Sequence, residues 1–328
     1  MENIYSNFRS RRLRRKRRNQ IRFFILVLIS VLVVLAGYFK LVIPNKTNSA
    51  KLVSPMVAFS SSTNVSGSSN TSNGDIALQN VLEKAMQDTK GTYGIVIKNL
   101  KSGKFYFANE HKIFEAGSLY KLWIMATVYQ QIQSGQLTKD QVLTKDIATL
   151  NQIFYIDPDL AEQTQGTITL TVQSALTQMI TISHNYAALL LTEKIKLSSV
   201  ATFLKENGFT QSTVGTEGDA PTVTPYDIFL FLEKLYKGEL AGEQYTKDMI
   251  DLLRKQKLND GLPKYLPNTL QVAHKTGEIG WFKHDAGIVF TDKGDYIIIV
   301  MSESESPAGA QERIALLSKA VFDYFQTN

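Results

Sequence analysis

The chain has 328 residues, 44% of them hydrophobic, and is therefore long enough to bury a sizeable core. Its formal charge is +6, but residues 1–22 hold nine Arg or Lys and one Glu, so the remaining residues sum to −2. A nearly neutral main part gives no support to a nucleic-acid-binding surface, and we expect no nucleic-acid partner. Because there is no cysteine, disulfides, thiol nucleophiles and cysteine zinc sites are excluded.

The N-terminal segment has the pattern of a membrane anchor. Basic residues crowd positions 9–18, and the seventeen residues from Phe23 to Phe39 carry no charge. Seventeen residues are at the short end of what spans a bilayer, and an arginine-rich flank stays on the cytoplasmic side. The sequence therefore predicts a single-pass membrane protein whose main part is extracellular.

Composition divides the chain further. Between Ser60 and Gly74 every residue except Val65 is Ser, Thr, Asn or Gly, which is typical of a flexible tether. Release of the main part by signal-peptidase cleavage after Ala36 is an alternative to a permanent anchor. The predicted segments are a basic cytoplasmic tail (1–22), a transmembrane signal anchor (23–43), a flexible Ser/Thr/Asn-rich linker (44–75) and a folded domain (76–328).

Hydrophobic periodicity orders the folded domain as helix, two strands, a helical middle, three strands and a final helix. The predicted strands lie at 93–97, 105–107, 270–277, 286–291 and 296–301. The predicted helices lie at 76–90, 119–129, 172–180, 186–191, 225–235 and about 245–254, and at the C-terminus. This order predicts an α+β fold in which an antiparallel sheet, built from both ends of the chain, is flanked by helices and carries an inserted all-helical subdomain.

The chain contains one Ser-x-x-Lys pattern, Ser118 to Lys121. At a helix start, residues three apart share a face, and a partly desolvated lysine can accept a serine proton. Taken alone, the pattern is more often an ordinary helix start with an exposed lysine. Here, however, the residues from Leu119 to Tyr129 are almost all apolar, which predicts a buried helix and a lowered pKa for Lys121.

Two further polar motifs follow. Ser183-His184-Asn185 stands between two apolar helical runs, where it is either a simple turn or a source of a hydroxyl and an amide in a cleft. Lys275-Thr276-Gly277 ends a predicted strand, where the lysine could be an ordinary edge-strand residue. These separate explanations do not account for the presence of all three motifs in one chain.

Together the three motifs resemble the signature set of the penicillin-recognising serine hydrolases. In chain order they are Ser118-x-x-Lys121, Ser183-x-Asn185 and Lys275-Thr276-Gly277. Over roughly residues 76–328 the chain is similar to the class A β-lactamase-like family. The resemblance implies a β-lactamase/transpeptidase-like fold and an enzyme that forms an acyl-enzyme.

The resemblance also implies roles in acylation. Ser118 would attack a lactam or peptide carbonyl, and Lys121 would take part in removing its proton. Ser183 would pass a proton to the leaving nitrogen. Asn185 would hydrogen-bond the substrate side chain or Lys121.

The third motif is implied to bind the substrate. Lys275 would attract the substrate carboxylate and Thr276 would hydrogen-bond it, with Gly277 completing the motif. The backbone N–H groups of Ser118 and of Glu278, the residue after the motif, would form the oxyanion hole.

Two positions depart from the family pattern. His184 stands where the family usually has aspartate. Class A β-lactamases also place a deacylating glutamate on a loop ahead of a Thr-Pro helix start, which Thr224-Pro225 resembles here, but the preceding segment is short. Glu217 is the glutamate in that segment, and it is either a catalytic base or an exposed loop carboxylate.

The sequence thus predicts an extracytoplasmic serine hydrolase, acylated at Ser118 by β-lactams and hydrolysing them. The alternatives are a penicillin-binding D,D-peptidase-like enzyme that acts on cell-wall peptides with slow deacylation, and a catalytically silent envelope-binding module. The expected partners are a β-lactam or cell-wall peptide substrate and the membrane, and the expected state is a monomer. No cofactor is expected, and the four histidines lack the spacing of a helical metal site.

Overall fold

The computed structural model describes residues 75–215 and 219–328. The predicted cytoplasmic tail and signal anchor lie outside the described residues, as does the predicted linker except for Asp75. Within the described ranges, no helix is both long enough and apolar enough to cross a bilayer.

The order of elements follows the predicted order closely. The strands are β1 (Thr92–Asn99), β2 (Phe105–Ala108), β3 (Phe114–Glu115), β4 (Val142–Asp146), β5 (Thr167–Thr171), β6 (Thr222–Val223), β7 (Gln271–Ile279), β8 (Phe282–Phe290) and β9 (Tyr296–Glu303). The helices are α1 (Ile76–Met86), α2 (Lys121–Gln133), α3 (Ile147–Ile153), α4 (Val172–Thr181), α5 (Asn185–Ile195), α6 (Leu197–Glu206), α7 (Pro225–Lys237), α8 (Glu243–Arg254) and α9 (Pro307–Thr327).

The main sheet has the strand order β2-β1-β9-β8-β7, and every neighbouring pair is antiparallel. Ile97 of β1 faces Ile298 of β9, so strands from opposite ends of the chain lie side by side. This confirms the predicted α+β architecture with an antiparallel sheet.

The central strand β9 has buried side chains on both faces of the sheet. Ile297 and Ile299 belong to one buried cluster, and Ile298 and Val300 belong to another on the opposite face. Side chains alternate along a strand, so an unbroken apolar run is buried on both sides. Helices α1 and α9 cover one face, and the other face carries α2 and the helices that pack around it.

Helix α2 is enclosed on every side, as its sequence predicts. All nine residues from Lys121 to Tyr129 are buried. Trp123 stacks on Phe209 and meets Phe231 edge-on, with ring centroids 5.1 Å apart in both pairs. The rigid packing of this helix fixes the position of Lys121 at its first turn.

The prediction of an all-helical inserted subdomain is wrong in one respect. Strands β4 and β5 form an antiparallel ribbon within it, with Leu143 opposite Leu170, and β3 pairs with β6. The run Thr167–Thr171 alternates threonine with apolar residues, a period of two that favours a strand. The ribbon is only half buried, so its apolar signal is weaker than that of the surrounding helices.

Candidate active site

Ser118 lies in a turn of 3₁₀ helix, Gly117–Tyr120, that leads directly into α2 at Lys121. A 3₁₀ helix has three residues per turn, so side chains at i and i+3 eclipse each other. The Ser-x-x-Lys spacing therefore places both residues on one face, although by a tighter helix than the predicted α-helical start. Ser118 faces a cleft of about 220 Å³.

The cleft is lined by residues from four parts of the fold. They are Glu115, Gly117, Ser118 and Tyr120 before α2, Asn185 at the start of α5, Ala220 and Pro221 before α7, and Glu278 and Ile279 at the end of β7. Residues of the first two motifs, and those that directly follow the third, thus line one cavity although they are far apart along the chain.

The side chain of Lys121 is fully buried and turns into this junction. Its Nζ lies 2.6 Å from the Ser183 carbonyl oxygen, 3.2 Å from Ser183 Oγ and 2.7 Å from Asn185 Oδ1. Burial and the nearby Lys275 both hold the pKa of Lys121 well below its usual value. A neutral amine in this position has a lone pair available to accept a proton.

Lys275 reaches the same hydroxyl. Its Nζ lies 3.1 Å from Ser183 Oγ and donates to the Thr276 carbonyl oxygen at 2.8 Å. Burial lowers the pKa of Lys275 to about 7, and the charge of Asp285 partly offsets that effect. Ser183 therefore stands between two amines and can accept a hydrogen bond from one while donating to the other.

The backbone at the middle motif is shaped to present Ser183. Ser183 has a φ of 58°, the left-handed region that costs energy for a non-glycine residue. The next residue, His184, is the N-cap of α5, and its Nδ1 accepts the Ala187 N–H at 3.1 Å. Aspartate would make the same cap, which explains how histidine can replace it here.

The end of β7 packs tightly against the turn that holds Ser118. A Cβ added to Gly117 would lie 2.6 Å from the backbone nitrogen of Glu278, and one added to Gly277 would lie 2.8 Å from the Ala116 carbonyl oxygen. Both positions therefore require glycine. This close approach puts the Glu278 amide beside the backbone of Ser118, in the region expected for the oxyanion hole.

The structure thus brings together most of the predicted site residues. Ser118, Asn185 and Glu278 line the cleft, Lys121, Ser183 and Lys275 form a chain of polar contacts behind it, and Thr276 and Gly277 follow on β7. Glu217 lies outside the described residues, so its role stays a prediction. The described residues contain no group of three His, Asp or Glu side chains placed to hold a metal ion.

One residue beside the site, Glu162, belongs to no sequence motif. Its Oε1 accepts the Asn185 Nδ2–H at 2.7 Å, although it lies 23 residues earlier in the chain. The segment between α3 and β5 that carries it has no motif and no strong periodicity. Its place depends on tertiary contacts with α5, which no local pattern encodes.

Comparison with known proteins agrees with this geometry. Residues 77–325 match the Beta-lactamase enzyme family. Comparison with curated proteins gives no match.

Solved structures share the fold. A β-lactamase from Sphaerobacter thermophilus has a TM-score of 0.67 and 22% identity, over 77% of this chain and 99% of that one. The protein PBP-A has a TM-score of 0.66 and 23% identity, over 76% and 96%. A class A β-lactamase from Bacteroides cellulosilyticus has a TM-score of 0.64 and 23% identity, over 76% and 98%. The chain therefore belongs to the Beta-lactamase enzyme family, and it is a serine hydrolase that acts through an acyl-enzyme.

Proposed function

We propose that Ser118 is the nucleophile of this hydrolase, that β-lactams acylate it, and that the enzyme then hydrolyses the acyl group. The observation that carries the proposal is the chain of contacts from Lys121 through Ser183 to Lys275, set behind a serine that faces a cleft. Burying two amines beside one hydroxyl costs free energy of folding. Such buried groups with shifted pKa values are typical of sites that transfer protons.

The acylation step follows from these positions. Ser118 Oγ attacks the lactam carbonyl carbon while neutral Lys121 takes its proton. The new C–O bond gives a tetrahedral intermediate, whose collapse breaks the lactam C–N bond as the proton reaches the ring nitrogen through Ser183. The N–H groups of Ser118 and Glu278 stabilise the oxyanion, and Lys275 with Thr276 holds the substrate carboxylate. Water then cleaves the ester, releasing the acid and regenerating Ser118.

A second candidate is a penicillin-binding D,D-peptidase-like enzyme that deacylates slowly. Two observations favour it. Within the described residues, Lys121 hydrogen-bonds Ser183 and Asn185, and neither of them carries a carboxylate that could activate water. In addition, the described residues on the two sides of the segment before α7 lie close together, since Thr213 pairs with Thr222 and a Cβ on Gly215 would lie 2.4 Å from the Asp219 carbonyl oxygen. PBP-A, one of the similar structures, has also been solved as a variant in an acyl-enzyme complex with penicillin-G.

A time course of labelling by a fluorescent penicillin distinguishes these candidates. The full chain and its Ser118→Ala variant are incubated with the probe while intact penicillin is measured in parallel. Fleeting, Ser118-dependent label with consumption of penicillin supports a β-lactamase, and Glu217→Gln then tests the base. Persistent label supports the slowly deacylating enzyme. No label at all, with penicillin intact, rejects both and favours the silent envelope-binding module.

We further propose that the enzyme is a monomer anchored in the cell membrane with its hydrolase domain outside. The support is the basic cluster at 9–18 followed by the uncharged run from Phe23 to Phe39. Protease added to intact cells should remove the hydrolase domain and leave the tail protected. If the domain is found free in the medium before protease is added, the segment is a cleaved signal peptide.

A further inference from the structure

The two N–H groups of the proposed oxyanion hole belong to different parts of the fold. Ser118 lies in the 3₁₀ turn that follows β3, whereas Glu278 lies on β7 of the main sheet. Within the described residues, β3 pairs with β6 in a two-stranded sheet of its own, so the ladder of the main sheet does not set its distance from β7. An oxyanion hole works only when both donors point at one oxygen atom, about 2.7–3.1 Å away. Contacts between these two elements therefore have to set the spacing of the amides.

His284 of β8 connects the two elements. Its backbone is paired with Gly277, the residue before Glu278. Its side chain is 1% exposed, and its Nε2 lies 2.8 Å from the carbonyl oxygen of Glu115, three residues before Ser118. One residue thus contacts the chain close to both amides, through its backbone in one case and through its imidazole ring in the other.

The direction of this hydrogen bond is fixed. The Ser302 N–H donates to His284 Nδ1 at 3.2 Å, so that nitrogen carries no proton. The proton is therefore on Nε2, which donates to the Glu115 carbonyl oxygen. Burial lowers the pKa of His284 to about 3, so the ring keeps this neutral form at neutral pH.

Close packing fixes the position of the ring as well. Phe114 and Phe282 meet it edge-on, with ring centroids 5.7 and 6.0 Å away. A Cβ added to Gly277 would lie 3.1 Å from His284 Cδ2 and 2.8 Å from the Ala116 carbonyl oxygen. The imidazole ring and the chain before the 3₁₀ turn therefore pack against β7 at the same glycine, and a shift of the ring would move the turn.

We propose that His284 is a positioning residue that sets the spacing of the two oxyanion-hole amides by holding the Glu115 carbonyl oxygen. This inference rests on the proposed function, because it needs Ser118 to form a tetrahedral intermediate. The described lining of the cleft includes Glu115 and does not include His284, so the histidine acts without touching the substrate. The oxyanion develops in the transition state and is absent from bound substrate, so loss of this hydrogen bond should slow acylation without weakening substrate binding.

Two substitutions separate the hydrogen bond from the shape of the side chain. His284→Gln keeps one N–H donor and one acceptor at the end of an unbranched chain, whereas His284→Met is close to it in shape and has no N–H donor. Stopped-flow acylation of the full chain by a fluorescent penicillin at rising concentrations gives the Kd of the initial complex and the limiting rate constant. His284→Met should lower the limiting rate constant about 100-fold and change Kd less than about twofold. His284→Gln should keep the limiting rate constant within about threefold of the native value.

A boronic acid tests the oxyanion hole directly. Ser118 Oγ adds to the boron atom of phenylboronic acid and its proton leaves to Lys121, which gives a tetrahedral boronate with one oxygen in the place of the oxyanion. Its inhibition constants are measured by competition with the fluorescent penicillin. His284→Met should weaken this inhibitor by about the same factor as it slows acylation, and His284→Gln should weaken it by no more than about threefold.

Two further variants control for lost stability. Leu317→Ala lies in the core on the opposite face of the sheet, so it lowers Tm and leaves this hydrogen bond in place. All rate constants are measured well below the Tm of each variant. If His284→Met does not fold, His284→Asn takes its place and should show the same loss. Its amide oxygen can accept from the Ser302 N–H, but its side chain is too short to donate to the Glu115 carbonyl oxygen.

Three results overturn the inference. In the first, folded His284→Met is acylated at the native limiting rate. In the second, His284→Gln is slowed as much as His284→Met, so the hydrogen bond is not the cause. In the third, Kd rises by as much as the rate constant falls, so the substitution disturbs the whole cleft. If penicillin does not acylate Ser118 in the native protein, the proposed function itself fails, a result that is seen before any variant is compared.

Discussion

At the scale of single residues, the proposed mechanism gives two lysines opposite tasks. In that mechanism Lys121 must be neutral to take a proton, whereas Lys275 must be charged to attract a carboxylate. Burial lowers the pKa of both, to about 7 for Lys275, so both tasks are compatible only within a limited pH range. Ser183 touches both amines and links their protonation states.

The pH profile of acylation should therefore have two limbs. On the acidic side the rate constant rises with pH as Lys121 loses its proton, at a pH well below the usual lysine pKa of 10.5. On the alkaline side it falls above about pH 7 as Lys275 loses its charge. In Lys275→Arg, the guanidinium stays charged, so the alkaline limb should disappear. Stopped-flow acylation across pH, with thermal unfolding as a check of folding, measures this. An unchanged alkaline limb in a folded Lys275→Arg variant would assign that limb to another group.

The residues of this site differ in how far sequence predicts them. Ser118, Ser183 and Lys275 belong to short motifs whose order along the chain identified them. Glu162 could not be predicted, because its contact with Asn185 depends on a segment anchored by the buried pair Asn151 and Tyr186. Short motifs identify candidate reacting groups, whereas a loop residue such as Glu162 is placed by packing that no motif encodes.

At the scale of elements, helix α5 begins with a histidine cap whose strength depends on pH. His184 Nδ1 accepts the Ala187 N–H, so the ring must be unprotonated at that nitrogen. Burial is the main cause that lowers the pKa of His184 below 6.5, and the charge of Glu162 partly offsets that effect. Because the folded-state pKa is lowered, the stabilising contribution is complete above about pH 6.5 and is lost as pH falls toward the folded-state pKa.

His184→Ala should therefore lower the free energy of unfolding by about 1 kcal/mol at neutral pH. The difference from the native protein should shrink at about pH 5, where the unfolded histidine is charged. His184→Asp, which restores the family's residue, should keep the cap to lower pH. Urea unfolding followed by tryptophan fluorescence at both pH values measures these differences. A loss of stability in His184→Ala that is equal at both pH values would contradict the cap.

The contact between β7 and the 3₁₀ turn offers a second test at this scale. In Gly117→Ala the new Cβ would collide with the Glu278 amide, and φ of 50° is itself unfavourable for alanine. The turn must move, and a shift near 1 Å in a catalytic group lowers the acylation rate constant by about 100-fold. Gly103→Ala is the matched control, since its φ is also positive, at 74°, but its Cβ meets nothing within 4 Å. Labelling by fluorescent penicillin should be nearly normal in that control; equal losses in both variants would show that backbone strain alone is responsible.

Most elements, unlike their contacts, follow from sequence. The strands of the main sheet have long apolar runs, and α2 is apolar on all sides. The sequence therefore indicates both the type and the burial of these elements. The ribbon of β4 and β5 was not predicted, because short strands rich in threonine are half exposed and give a weak signal. The 3₁₀ turn at Ser118 could not be distinguished from the first turn of an α-helix, since both place residues i and i+3 on one face.

At the scale of the whole molecule, the sheet separates two cores with different relations to the site. The core beneath α1 and α9 contains Leu317 and lies on the face away from the cleft. The other core contains Trp123, two residues along α2 from Lys121. Both side chains are fully buried, so both cores contribute to stability.

The two cores should respond differently to truncation. Leu317→Ala leaves a cavity behind the sheet and should lower the free energy of unfolding by about 2–5 kcal/mol, a fall in Tm of roughly 4–20 °C. Because the sheet stays between that cavity and the cleft, the acylation rate constant of the folded protein should change less than about twofold.

Trp123→Leu removes the ring contacts with Phe209 and Phe231 that hold α2, so it should lower both Tm and the acylation rate constant, the latter by about tenfold or more. Thermal unfolding and penicillin labelling of the two variants, compared well below both Tm values, measure the separation. If Leu317→Ala slows acylation as strongly as Trp123→Leu, the sheet transmits packing changes to the site, and the molecule behaves as one core.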